Sequence, residues 1–318
     1  MKNNYKIVAL GGGTGLSTLL KGLRYRSNEI TAIVSVADDG GSSGRLRQEY
    51  EMLPPGDIRN CISALAGDDY KLGEFLNYRF NGGSLEGHTI GNLIITALND
   101  MHNDFESAVN AACDIFGTQG RVVPVSVDDM NLAAIMSDGR VLRGESNIGA
   151  PRNDDTFIKK VFLDPKEVRA TDSAVAAIRN ADVIIMGPGS LYTSVIPNLL
   201  VDGIAEEIKK SRAKKIYVCN IMTQPGETDG YTAYDHLSAI ERHTYKGIVD
   251  VVIVNAQEIP NELIGRYAQT GSYAVVIDEE KFSCEVIKAR ILLAREDYVR
   301  HNFSRLARTI GVLCNKER

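Results

Sequence analysis

A chain of 318 residues, 44% hydrophobic and 24% charged, carries enough apolar material for a large core without disulfide or metal staples. A net charge of −5 excludes the basic footprint of a nucleic-acid or anionic-membrane binder, so any nucleotide must be gripped locally, by backbone amides and a few cations. No apolar run approaches the ~20 residues that span a bilayer, and the run Ile7 to Leu10 stops at three glycines instead of extending into a signal core, so the expectation is a cytoplasmic protein.

In chain order, Ile7 to Leu10 reads as a buried strand, Gly11 to Gly15 as a loop, Leu16 to Arg24 as a helix and Ile30 to Val36 as the next strand. That order opens a parallel α/β sheet. Helical periodicity follows over 57–66 and 90–116, with Asp57 after Pro54-Pro55-Gly56 placed as an N-cap. The middle changes character. Val122 to Val127, Leu132 to Met136 and Arg140 to Gly144 read as short antiparallel strands, the last two joined by a Ser137-Asp138-Gly139 turn, and Phe157 to Leu163 adds another. The α/β alternation then resumes with a helix over 171–180, strands at Ala181 to Met186, Lys215 to Asn220 and Val249 to Asn255, a helix near 196–211 and a mostly helical tail over 284–313. The fold class predicted is α/β, Rossmann-like, with a mostly parallel sheet, helices on both faces and a small β-rich insert around 121–165 in one domain over 1–318.

Three glycine-rich segments stand at strand ends. Gly11-Gly12-Gly13-Thr14-Gly15-Leu16-Ser17 follows a strand and opens a helix, where unpaired amides and the helix dipole favour an anion, and the hydroxyls of Thr14 and Ser17 are added donors. It lacks the Gly-Lys-Ser/Thr of a Walker loop, and a tight turn with no ligand is the competing reading. Asp38 and Asp39 end the second strand before Gly40-Gly41-Ser42-Ser43-Gly44-Arg45. A carboxylate there suits ribose hydroxyls, Mg²⁺ or a solvated turn, and alternation lets only one of the pair face a site easily. The glycine–serine stretch is expected to be mobile, with Arg45 and Arg47 free to close over a phosphate. Gly187, Gly189 and Ser190 form the third loop, and two such loops on one sheet predict a cleft at the carboxyl ends of the strands. Asn220, after its strand, offers a donor and an acceptor on one amide, for a ribose, a base edge or a local turn; Thr223 follows in the same segment.

Cys61, Cys113, Cys219, Cys284 and Cys314 are scattered, odd in number and free of a CxxC pair, which argues against a disulfide framework or a thiolate zinc site. His236 and His243 share a helix without a carboxylate or thiolate to complete a metal set, and no Ser/His/Asp order of a hydrolase is recognisable.

Taken together, GGGTGLS at 11–17, SVADDGGSSGRLR at 35–47, PPGDIRN at 54–60, GHTIGNL at 87–93, GPGSLYTSVIPNLL at 187–200 and CNIMTQPGETDGY at 219–231 resemble the gluconeogenesis factor (YvcK-type) proteins. These belong with the 2-phospho-L-lactate transferases in one superfamily. The resemblance spans nearly the whole chain. It implies a Rossmann-like cytoplasmic protein that binds UDP-sugars such as UDP-N-acetylglucosamine and serves cell shape and envelope synthesis on gluconeogenic carbon, through a protein partner the sequence does not name. It also places Tyr267 and Arg300 beside the nucleotide-sugar. For these a stacking face and a bidentate cation are the physical case. The transferase branch implies instead a Mg²⁺-dependent reaction, with Asp38 and Asp39 matching its metal-side Asp pair. The extension Ser-Ser-Gly-Arg-Leu-Arg and the loop GPGSLYTS depart from that branch. A regulator and a transferase therefore stand as two alternatives, either of them admitting a homo-oligomer.

Overall fold

The computed structural model describes residues 3–67, 70–152 and 156–315. The first half runs β1 (Asn3–Gly11), α1 (Gly13–Leu23), β2 (Ser27–Val34), α2 (Gly41–Glu49), α3 (Gly56–Leu65), α4 (Tyr70–Asn77), α5 (Ile90–His102), α6 (Phe105–Ile115) and β3 (Arg121–Pro124). The insert holds β4 (Asn131–Met136), β5 (Val141–Arg143), α7 (Glu145–Ile148) and β6 (Ile158–Asp164). The second half runs α8 (Asp172–Asn180), β7 (Val183–Met186), α9 (Ile196–Leu200), α10 (Ile204–Lys210), β8 (Lys214–Val218), α11 (Ala233–His243), β9 (Val251–Asn255), α12 (Asn261–Gln269), β10 (Glu285–Ala289), β11 (Leu292–Arg295), β12 (Tyr298–His301) and α13 (Phe303–Asn315).

Seven strands form one sheet in the order β10-β9-β8-β7-β1-β2-β3. All six pairings are parallel. The central strands are continuously apolar, as burial on both faces requires: Val183, Ile184, Ile185 and Met186 of β7 are all buried, beside Ile7 to Leu10 of β1. Connections leave β1 toward β2 on one side and arrive at β7 on the other, so the carboxyl ends of β1 and β7 straddle the switch in strand order. Open parallel sheets gape there. Helix α1 packs between α3 and α13, and Gly22 makes the last contact feasible, since a Cβ on it would lie 2.2 Å from the Phe303 carbonyl oxygen.

Several expectations need correction. Val122 to Val127 does not begin the antiparallel insert. Arg121–Pro124 pairs in parallel with β2, Val34 opposite Pro124, and closes the edge of the main sheet. The antiparallel sheet is β5-β4-β6 alone, its hairpin turned at Gly139 with φ +89° and held by Asp138 Oδ1, which accepts from the Arg140 N–H at 3.0 Å. The tail is not mostly helical, because β10 extends the parallel sheet and β11–β12 form a hairpin before α13. The periodic stretch 90–116 breaks at Asn103, left-handed at φ +52°, and restarts under the Asp104 cap, whose carboxylate accepts from Ser107 N–H at 2.7 Å. The stretch 196–211 breaks likewise at Gly203, with φ +94°. The glycine–serine stretch after Asp39 is the first turn of α2, where Gly44 fits against the backbone of Asp39. The cysteines are free thiols, four of the five buried.

Candidate functional site

A cleft of about 430 Å³ opens at the switch point. Its floor is the turn after β1. Gly12 is extended (φ −166°), Gly13 is left-handed (φ +61°), and α1 begins there with its first amides unpaired within the helix. A Cβ on Gly15 would lie 2.4 Å from the Pro188 carbonyl oxygen, so the two glycine loops touch, and only glycine permits it. The opposite wall is Pro188, Gly189, Ser190 and Ser194, and the far end is built by Tyr267, Val299, Arg300 and His301.

Hydrogen bonds lock these walls. The Asn220 amide pairs with both backbone groups of Gly189, accepting from its N–H at 3.3 Å and donating to its carbonyl at 2.8 Å. Ser190 Oγ donates to Gln224 Oε1 at 2.7 Å. Gln224 Nε2 donates to Glu227 at 2.6 Å, and Glu227 also accepts from Tyr192 N–H and Thr193 Oγ1, each at 3.1 Å. Thr223 Oγ1 accepts from Tyr273 N–H at 2.9 Å. The Tyr267 hydroxyl accepts from Val299 N–H at 2.9 Å, tying α12 to the β11–β12 hairpin. His301 Nε2 donates to the Cys219 carbonyl at 3.1 Å, and burial pushes the imidazole down to about 4, so it is neutral at neutral pH. Arg300 stays exposed, its guanidinium 4.9 Å from the centre of the Tyr298 ring.

Of the residues expected at a site, Gly12, Gly13, Thr14, Gly15, Gly189, Ser190, Asn220, Thr223, Tyr267 and Arg300 line this one cleft. Four do not. Leu16 is a core side chain with no exposed surface. Ser17 Oγ donates to the Thr14 carbonyl at 3.1 Å. Gly187 lies under the loop, its N–H on the Leu10 carbonyl at 3.0 Å. Asp38 stands on the far side of the Gly12–Gly13 turn. Within the cleft, Asn220 and Thr223 are bonded to backbone partners and act as braces, and the Tyr267 hydroxyl accepts from a backbone amide.

The far side of the turn is acidic. Asp57 is not the N-cap of α3; that position is Pro55, and Asp57 sits one residue inside the helix. Its carboxylate reaches across to accept from the Gly13 N–H and occupies the space a Cβ on Gly12 would need. Burial, then the Asp38 charge, raise its pKa to about 6. Glu145, at the start of α7, is pushed well above the carboxylate range by burial and then by Asp57, Asp38, Glu227 and Asp39. Burial raises Glu227 to about 7. Sequence reasoning missed Asp57, Glu145 and Glu227 in these roles. The one signal for Asp57 and Glu227 was their place inside the long motifs.

Asp38 and Asp39 diverge. Asp38 Oδ1 accepts from Gly40 N–H at 2.9 Å, and its other oxygen comes near Gly56. Asp39 turns to the insert, accepting from the Ser146 N–H at 2.9 Å and from its hydroxyl, with Gly144 leaving room for the contact. Among the described residues no group of three or more His, Cys, Asp or Glu side chains is arranged to hold a metal ion. A Mg²⁺ held jointly by Asp38 and Asp39 does not fit this arrangement. Arg47 does not face a ligand either: it pairs with Asp129 and donates to the Met130 carbonyl at 2.9 Å. Among the described residues no helix is long and apolar enough to cross a membrane.

A parallel sheet whose switch point opens a glycine-walled cleft defines a Rossmann-like α/β protein. The chain belongs to the 2-phospho-L-lactate transferase CofD family, whose model matches residues 7–292. Within that family it is similar to proteins called gluconeogenesis factor: 45% identical over 306 residues to one from Bacillus subtilis, covering 95% of this chain and 96% of the relative. A second, from Halalkalibacterium halodurans, is 46% identical over 308 residues, covering 96% and 95%. A crystal structure of a UPF0052-family protein from Bacillus halodurans superposes with a TM-score of 0.92 at 44% identity, covering 98% of this chain and 99% of that one.

Proposed function

We propose that this chain is a cytoplasmic binding protein for a UDP-sugar, with the diphosphate on the amides of Gly12 to Gly15 and the uracil end toward Tyr267. One observation carries the reading. Arg300 is the one Lys or Arg among the described residues lining the cleft, no Asp or Glu is among them, and the wall joins glycine backbone, hydroxyls and amides to an apolar stretch of Pro188, Ile221, Met222, Pro225 and Val299. A doubly charged, hydroxyl-rich ligand suits that wall: helix-start amides and a guanidinium for the diphosphate, Ser190, Ser194 and Thr270 for sugar hydroxyls. The regulatory part of the proposal, a signal passed to a protein partner in cell-shape and envelope synthesis on gluconeogenic carbon, rests on the family resemblance.

A second reading is supported by Asp57. A carboxyl raised to about 6 beside a phosphate-type turn is poised to exchange a proton, as a transferase related to the 2-phospho-L-lactate enzymes would need. Isothermal titration with UDP-N-acetylglucosamine, with and without Mg²⁺ and followed by product analysis, separates the two. Saturable binding with the nucleotide recovered intact supports the regulator. A new product, lost in Asp57→Asn, supports the transferase. No binding by the parent protein overturns the first reading.

A further inference from the structure

Beyond the carboxylates, away from the cleft, lies a group of cations that the cleft does not use. Arg45 of α2 donates to the Glu86 carbonyl at 2.6 Å, and Arg79 donates to the carbonyl of Gly87. Both guanidiniums therefore flank Gly87, which is left-handed at φ +80°; a Cβ there would fall 2.8 Å from Arg45 Nη2. Arg59 of α3 donates to the Asn77 side chain two residues before Arg79, exposes only 9% of its surface, and leaves its Nε–H without an acceptor. None of the three is in a salt bridge with a carboxylate among the described residues.

A fourth group points to the same chemistry. His88 is buried, and its Nδ1 lies 3.0 Å from Ser42 Oγ. Asn92 Nδ2 donates to that oxygen at 3.0 Å, and the other ring nitrogen, Nε2, has no hydrogen-bond partner among the described residues. Burial, then the Arg45 charge, hold the His88 pKa down, and Arg79 adds to that while Glu49 opposes it. Burial, then Arg79, lower that of Arg59, against Asp57 and Asp38. These mutual effects place the basic groups within one another's fields. Carbonyls can orient guanidiniums, but they do not neutralise them. Positive charges gathered around one loop, with the buried Arg59 Nε–H left without an acceptor, are the arrangement that binds an oxyanion.

We propose that Arg45, Arg59, Arg79 and His88 Nε2 form a second anion site, separate from the cleft, for the phosphate group of a small molecule. Asp57 stands between the two sites, accepting from Gly13 on one side and acting on Arg59 on the other. An anion at the arginines draws on the field that Asp57 now supplies, so the sites are coupled.

The test uses the full chain and inorganic phosphate as probe, by calorimetric titration at low salt. Arg45 and Arg79 are exposed, so Arg45→Gln/Arg79→Gln is expected to fold. The double variant should lose about a hundredfold in phosphate affinity, as expected for removing two charge-assisted donors. Arg300→Gln should leave that loss unmatched. A double variant that melts like the parent and binds phosphate equally well overturns the site, as does a parent that binds none. A UDP-N-acetylglucosamine titration of the double variant keeps the two proposals apart. Binding there with phosphate binding lost supports a separate site. Loss of both assigns the arginines to the nucleotide and overturns the separation.

Discussion

The two sides of the Gly12–Gly13 turn are built to opposite rules. On the cleft side every wall polar group that sequence reading singled out is neutral apart from Arg300, and most are tied to backbone. On the other side Asp38, Asp57 and Glu145 crowd one another so that burial and mutual repulsion lift two of them out of the ordinary carboxylate range. The first side is a hydrogen-bonded scaffold of two glycine loops. The second holds uncompensated charge, which costs stability and is retained where chemistry or signalling uses it. The two also answer pH with opposite sign, His301 losing stability in acid and Asp57 gaining it.

The largest effect is expected from Gly15→Val. Its Cβ would meet the Pro188 carbonyl and the Gly189 backbone, neither of which is a flexible side chain that can swing away. Overpacking of backbone against backbone should destabilise by about 4 kcal/mol and disorder both glycine loops together. A folded Gly15→Val protein with the parent's melting temperature would mean the loops do not bear on each other.

Next comes acid titration of the cleft wall. His301 has a folded pKa of about 4 against an ordinary 6.5, so the folded state binds fewer protons than the unfolded chain between those values. Its contribution is fully present above 6.5 and is lost as pH falls through 4, a change of about 3 kcal/mol. Chemical denaturation of the parent and of His301→Gln between pH 4 and 7 reads it: the parent should lose stability across that window, and the variant should lose less.

Asp57 has the reverse sign. Its folded pKa of about 6 exceeds the ordinary 3.8, so stability is greatest below 3.8 and falls as pH rises through 6. Asp57→Asn keeps an oxygen for the Gly13 N–H and removes the charge, so at pH 8 it should stabilise by about 2 kcal/mol. If the diphosphate sits on the same amides, affinity for UDP-N-acetylglucosamine should rise as the parent is taken below pH 6. The same affinity should be flat with pH in the variant. A variant less stable than the parent at pH 8 would show that Asp57 is a net structural asset.

How far this was readable from sequence follows from where the information lies. Strand–glycine–helix order is local, so the turn at Gly11 to Gly15, the loop at Gly187 to Ser190 and their meeting at one cleft were legible. Strand partners are not local: Val122 and Val123 have the same apolar, β-branched pattern whether they pair with β2 or with the insert, and only tertiary contact assigns them to the parallel sheet. Short strands in the tail were hidden because β10 to β12 alternate weakly and α13 dominates the periodicity. At the site, residue type was legible and commitment was not. Asn220 offers the same groups to a ribose as to Gly189, and nothing in its neighbourhood in sequence says the backbone takes both. Asp57 looked like a cap because it follows Pro-Pro-Gly. Its reach to Gly13 depends on α1 and α3 packing side by side.

The smallest expected effect tests the far end of the cleft. Tyr267 has two separable parts: a ring that lines the cleft and a hydroxyl that accepts from Val299 N–H at 2.9 Å. Tyr267→Phe keeps the ring and orphans that amide. Val299 is half-buried, so water replaces part of the lost bond and the expected destabilisation is about 1 kcal/mol. The β11–β12 hairpin carries Arg300 into the cleft, so its loosening should show as faster amide exchange at Val299 and Arg300, with nucleotide affinity reduced less than about threefold, a change of under about 1 kcal/mol. Tyr267→Ala removes the ring as well and should weaken nucleotide binding further by about 1 kcal/mol. Equal affinities for the Phe and Ala variants would reduce Tyr267 to a hairpin brace and move the uracil elsewhere along the wall.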